Sequence, residues 1–384
     1  MGRLRDSFTR PTTEQHHSCL TNAIFLWACY ISRPGPLSEH EVHYLNRSLE
    51  GLSDALQYNT RVLDVIQASC LLSVYFLSNG RALEGSYHAA AAASLTMQCG
   101  LHGAIMNRSV FESTGVMAPL QLEPAKDTVE QGERILTFWQ VFALDRCWST
   151  VLQKPPTIPD GPEGSMSIVM PWPQNMEQYE SVSQSRLIFD ADVLMMMHIQ
   201  GQIDDFHSFS TTRTFFDGRV SNLGGCFSPL ALRVKASALF YRAHHLASNW
   251  DQRRRLDPTG YLHPSDDYAA LSLSNAFMDD FQTLEHTIAC FLSTLIPVHQ
   301  LDATMLDDKH TYIAIHTLAH VAIIHLYYPF GHEDPVAYDK CLRAARCCVS
   351  ITKNIVKEDY DFLDPILGVS LLLFGSAGFL ITFF

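Results

Sequence analysis

Charge is scarce in this 384-residue chain: 17% of residues are Asp, Glu, Lys or Arg, against 47% hydrophobic. That ratio excludes a solvated, disordered polymer and favours a packed globule, because apolar burial can offset chain entropy. Basic residues are the scarcer sign, 27 against 40 acidic, for a net charge of -13. No Lys/Arg run exceeds Arg253-Arg254-Arg255, so the electrostatic footprint needed to grip a nucleic acid backbone is missing. The ten cysteines follow neither a disulfide framework nor the paired C-x-x-C of zinc sites, which fits a reduced intracellular compartment. A secretory leader is lacking too: the apolar run Leu20 to Ile31 contains Asn22 and starts behind Glu14, His16 and His17. No strand-like alternation, exact repeat or G-x-S-x-G elbow is present, and the only low-complexity tract is Ala89 to Ala93.

What is present is helical periodicity. Apolar residues at 63, 66, 70, 74 and 77 predict a helix from Arg61 to Leu77, with Ser78-Asn79-Gly80 as its stop. Ser86 through Gly100 reads as a second helix, capped by Ser86 and ended by Gly100, so the two form an antiparallel hairpin. Its alanine face would let a neighbouring backbone approach closely. Thr128-x-x-Gln131 reads as a capping box opening Val129 to Gln153, apolar on nearly every face until Lys154-Pro155-Pro156. Such a helix belongs at the centre of a large helical body. Further patterning runs from about Ser185 to Phe216, Ala231 to Trp250, Ala269 to Leu295, Lys309 to Tyr328 and Asp334 to Val356, with a polar loop at Asp251 to Asp267.

The fold class expected is therefore all-α, one large multi-helix domain. Residues 1–60 form its N-terminal helical part, 61–153 the core hairpin and central helix, and 154–184 a Pro-rich surface loop. Residues 185–365 form its C-terminal helical part, and 366–384 a hydrophobic tail of 19 uncharged residues. That length is close to the minimum for a bilayer span, but with no flanking basic residues a buried final helix or an altered reading frame is the preferred reading.

Chemical motifs mostly fail. Gly80-x-x-x-x-Gly85 has P-loop glycine spacing, but Ser86-Tyr87 replaces Lys-Ser/Thr. His40-Glu41-Val42-His43 spaces its histidines by three instead of the four of a zinc protease helix. His316 and His320 would share a helical face and could bind a metal, with His325 nearby. They sit among Ile, Leu, Ala and Tyr without an acidic ligand, so core or groove histidines are expected. Asp145 and Arg146 follow an inward face marked by Ile135, Phe138, Trp139 and Phe142; their charges should be buried, with Arg81 and Glu84 as partners in a structural network. Asp204-Asp205-Phe206 and Asp279-Asp280-Phe281 resemble the start of the magnesium-diphosphate motif of terpenoid synthases, with Ser208 and Thr283 where a further carboxylate is needed. A helical ligand-binding protein or a magnesium-dependent enzyme of that kind is thus the alternative, and it predicts those four aspartates around one cavity. No catalytic, cofactor-binding or metal-binding residue is assigned.

Two segments carry a family resemblance: "LLSVYFLSNGRALEGSYHAAAAASLTMQCGLH" and "ERILTFWQVFALDRCWSTVLQKPPTIPD". The Gly-Arg-x-x-Glu-Gly turn (Gly80, Arg81, Glu84, Gly85), the small-residue helix ending in Gly-Leu-His, Phe-Trp with Trp139, and Leu-Asp-Arg with Asp145 and Arg146 occur in a distinctive order. Together with "PWPQNMEQYE", they resemble the fungal-specific transcription factor domain, the middle homology region of zinc-cluster transcription factors and xylanolytic activators. The likeness is strongest over about residues 60 to 180. It implies an all-α regulatory domain of a nuclear factor controlling RNA polymerase II transcription. Implied partners are the transcriptional machinery or another transcription factor, a small-molecule effector, and a second copy in a homodimer. The resemblance further implies zinc and DNA binding through a six-cysteine cluster, C-x2-C-x6-C and its repeat, with a basic linker and coiled coil. This sequence contains no such cluster: Cys19 and Cys29 stand alone, so zinc is assigned to no residue here. The expectation is a sequence truncated at its start, or a product reaching DNA only through a missing domain or a partner.

Overall fold

The computed structural model describes residues 16–58, 61–103, 122–159, 168–184, 211–216, 226–256, 267–297, 300, 306–353, 355 and 364–376. The described residues form α-helices and no strand, as an all-α fold requires. In chain order the helices are α1 (Ser18–Ile31), α2 (Glu41–Gln57), α3 (Val62–Ser78), α4 (Ala82–Gln98), α5 (Thr128–Val151) and α6 (Met176–Gln184). They continue as α7 (Thr211–Phe216), α8 (Pro229–Leu256), α9 (Asp267–Thr294), α10 (Leu306–Tyr327), α11 (Pro335–Thr352) and α12 (Pro365–Ser376).

Two cores share one helix. Val65, Ala68, Leu72, Tyr75 and Phe76 of α3 pack with Cys19, Leu20, Leu26, Leu45 and Leu52 of α1 and α2. Ile66, Cys70 and Leu77, on another face of α3, join the larger core built on α4, α5, α8 and α10. Apolar residues on two faces are what a helix needs to be buried between layers. α5 contacts α4, α6, α8 and α12, and Phe138, Trp139, Val141 and Phe142 are wholly buried. Burial of side chains of this kind contributes roughly 1.5–3 kcal/mol each. α8 and α10 form the largest pairing beyond it, with α9, α11 and α12 against α10.

The same stop ends α3, α4 and α5. Gly80 (φ +71°), Gly100 (φ +70°) and Gln153 (φ +51°) are left-handed. The next amide reaches back five residues: Arg81 to the Phe76 carbonyl (2.9 Å), Leu101 to Thr96 (3.1 Å) and Lys154 to Ser149 (3.0 Å). These are Schellman closures, and glycine holds two of the three positions because it takes positive φ at little cost. The Gly80 turn lets the chain reverse and restart at once, so α4 begins at Ala82 and not at the predicted Ser86. Ser86 is inside α4, where its Oγ accepts a hydrogen bond from Lys154 Nζ (2.9 Å). Gly85 explains the close hairpin: a Cβ there would lie 2.4 Å from Leu77 Cγ and 3.0 Å from the Ser73 carbonyl oxygen. Ala89, Ala92 and Ala93 are buried on α4, so the alanine face is a packing surface.

The capping box of α5 lies one residue earlier than expected. Asp127 accepts from the Glu130 amide (2.8 Å), and Glu130 accepts from the Lys126 amide (2.9 Å). Asp is an equally good cap, and the side-chain geometry selects it over Thr128. The Pro-rich segment is also not a surface loop throughout: Ile158, Ile168, Met170 and Trp172 are buried, and α6 starts at Met176, ahead of the expected Ser185. Of the prolines here, Pro173 is buried, Pro156 and Pro171 are half-buried, and Pro155 and Pro159 are exposed. α8 runs on through the polar Asp251 to Leu256, shortening the expected break. Of the tail, Ile366, Leu367 and Ser370 are buried, while 377–384 lie outside the described residues, as do 185–210.

Candidate functional site on the central helix

α5 presents its two buried charges, Asp145 and Arg146, to the chain that follows it. Arg146 is 1% exposed and Asp145 4%. Asp145 Oδ1 accepts the Thr157 amide (2.9 Å) and Oδ2 the Ile158 amide (3.0 Å), while Arg146 donates to the Ile158 carbonyl (2.8 Å) and to Asp145 (3.3 Å). The guanidinium also lies over the rings of Phe142 (4.4 Å) and Tyr241 (5.1 Å). Two adjacent residues thus clasp the backbone of 157–158 onto α5, making the polar contacts a buried segment needs.

One turn and more upstream, Trp139 Nε1 donates to the Pro171 carbonyl (2.6 Å), and its ring stacks on Trp172 at 4.7 Å. Beside it is a cation that gave no signal in the sequence. Lys235 of α8 is 1% exposed, donates to the Cys226 carbonyl (3.0 Å), and has Trp172, Phe227 and Phe215 at 5.0, 5.7 and 5.9 Å. Burial pulls its ammonium down to about 8, while the Cys226 thiol opposes that shift. The aromatic faces favour the charged form at that depth.

Arg81 and Glu84 do not join Asp145 and Arg146. They pair with each other on the surface, their side chains 44% and 47% exposed, and Arg81 lies over the Phe76 ring. The Glu84 hydrogen bond raises the Arg81 pKa, and the same bond lowers that of Glu84. The motif therefore splits into an exterior pair and an interior clasp, with Gly80 and Gly85 shaping the turn between α3 and α4.

His316 is buried, and His320 and His325 are half-buried. His316 Nε2 bonds the Ile296 carbonyl (2.8 Å), and burial lowers His320 to about 4 and His325 to about 3. Among the described residues no group of three or more His, Cys, Asp or Glu converges as a metal site. All ten cysteines are free thiols, eight of them buried, and burial pushes Cys19, Cys70, Cys341 and Cys348 up to about 12. Asp279 and Asp280 face solvent on α9; Asp204 and Asp205 lie outside the described residues.

Three further polar groups were not foreseen. Glu41 is buried and accepts from Arg33 Nε (2.8 Å) and Tyr75 Oη (2.6 Å); burial raises its pKa, but these donors outweigh it and hold it low. Arg233 of α8 pairs with Asp364, tying the start of α12 to the core. Lys340 of α11 pairs with Glu285 of α9 and Tyr327 of α10. Each joins residues far apart in the sequence, so no local pattern betrays it.

This body is a helical domain whose polar interior fastens chain segments together. A family model described as the fungal specific transcription factor domain matches residues 4–279. The chain belongs to that family, and it is a transcription factor regulatory domain. Nuclear location and DNA binding are typical of the family. No curated protein and no solved structure matches the chain.

Proposed function

We propose that this chain controls RNA polymerase II transcription in the nucleus through what its helical body contacts: the transcriptional machinery, another transcription factor or a second copy of itself. DNA is reached through a separate reader or a partner. The observation that carries this reading is the family match over residues 4–279. Net charge of -13 supports the division of labour, since a surface of that sign repels phosphate backbones. The clasped interior supports a scaffold role, because its charges are engaged with the fold's own backbone. No zinc-dependent step is assigned to these residues.

The test is chromatin immunoprecipitation of the tagged full chain, with fractionation of nuclei. The expected outcome is nuclear enrichment and occupancy at a reproducible set of promoters, lost when the partner reader is deleted. A cytosolic protein without promoter occupancy would overturn the reading, as would turnover of a prenyl diphosphate with magnesium by the purified chain.

A further inference from the structure

α9 and α11 both lean on α10 and leave a cleft of about 250 Å³ between them. Its walls are apolar: Ile288 and Leu292 from α9, Ile323 and Leu326 from α10, and Ala344 from α11. Ile288, Leu326 and Ala344 are buried even with the cleft open. A cavity of roughly 150 Å³ accommodates benzene, so this one has room for a ring and a short arm.

Polar groups gather at one side. Lys340 donates to Glu285 and to Tyr327 Oη (2.5 Å), which uses two of the three N–H donors of an ammonium and leaves one. Arg343, one turn further along α11, also lines the cleft. Its carboxylate partner is Asp339, and the two side chains are 65% and 54% exposed. An exposed pair of this sort is worth little and exchanges readily for another anion. His320 Nδ1 is buried in the wall without a hydrogen-bond partner.

We infer that the cleft between α9, α10 and α11 binds a small apolar monocarboxylate. Its hydrophobic body lies on Ile288, Leu292, Ile323 and Leu326, and its carboxylate lies between Arg343 and the remaining donor of Lys340. The site stands on the cleft alone; that its occupant would modulate transcription rests on the function proposed above.

The experiment titrates the purified full chain with phenylacetate by calorimetry, with phenylacetamide and phenethylamine as neutral and cationic counterparts. Saturable binding of the acid is expected, with at least tenfold weaker binding of the amide and none of the amine. Arg343→Ala should weaken phenylacetate about tenfold, the ratio for one charge-assisted hydrogen bond. Ala289→Phe, at an exposed position on the cleft rim, should abolish binding while leaving the thermal midpoint unchanged. No saturable binding of the acid, amide binding equal to it, or full binding by Ala289→Phe would each overturn the inference. Because no step reads transcription, these failures leave the regulatory reading standing, and failure of promoter occupancy leaves the cleft standing.

Discussion

Asp145→Ala is the most informative single change. It deprives the Thr157 and Ile158 amides of their acceptor and takes from Arg146 the carboxylate at 3.3 Å, all next to a guanidinium 1% exposed. A buried donor left unsatisfied costs about 1–3 kcal/mol, and breaking a buried ion pair from one side costs about 3–5 kcal/mol. These overlap, because Ile158 and Arg146 can relax together, so the expected loss is about 3–5 kcal/mol. Urea unfolding followed by tryptophan fluorescence reads it, since Trp139 and Trp148 lie on the same helix. The double variant Asp145→Leu with Arg146→Met removes both charges and should be less destabilised than Asp145→Ala alone, giving a coupling energy well above additivity. Arg81→Ala supplies the contrast: its surface pair with Glu84 is solvent-screened, so the unfolding midpoint should stay within error. A loss below about 1 kcal/mol for Asp145→Ala, or additive singles, would refute the clasp as the fastener of 157–158.

Three other outcomes follow from the same interior. Gly85→Ala forces a Cβ to 2.4 Å from Leu77 Cγ and should cost about 1–3 kcal/mol by overpacking, measured as a thermal midpoint; Gly80→Ala meets open space and carries only the strain of φ +71°. Trp139→Phe loses the 2.6 Å bond to the Pro171 carbonyl and part of the Trp172 stack, so about 1–3 kcal/mol is expected in urea, with hydrogen exchange faster around 168–172. His320 and His325 are held neutral by burial, at about 4 and about 3 against an unfolded 6.5. Their stability is complete above pH 6.5 and is lost as pH falls through about 4 and then about 3, each steepening the decline by up to about 1.4 kcal/mol per pH unit. Urea midpoints over this range should flatten in His320→Gln and His325→Phe; an unchanged slope would contradict the assignment.

Helix identity was legible because the 3.6-residue period of residues such as Leu63, Ile66 and Cys70 is local, and so were the glycine stops at Gly80 and Gly100. Helix starts were not. Ser86 and Thr128 look like caps, yet a left-handed Gly80 restarts the chain at Ala82 and Asp127 outcompetes its neighbour. Burial of Asp145 and Arg146 was readable from the apolar residues upstream of them. Their partners were not, because the acceptor and donor groups are backbone atoms of Thr157 and Ile158 and carry no side-chain signature. Arg81 and Glu84 satisfy each other three residues apart, a local solution that a search for long-range pairs overlooks. The Lys235 cage and the Glu285, Tyr327 and Lys340 cluster depend on helices meeting far along the chain, which periodicity does not encode.

Regulation of transcription by contact with this helical body can be measured directly. The direct measurement fuses the full chain to a heterologous DNA-binding module and reads a reporter downstream of that module's sites. Reporter output should shift away from that of the module alone, up or down, and the shift should vanish in Asp145→Ala, which loosens the fold. Output identical to the module alone, with the fusion folded and bound at the reporter, would contradict it.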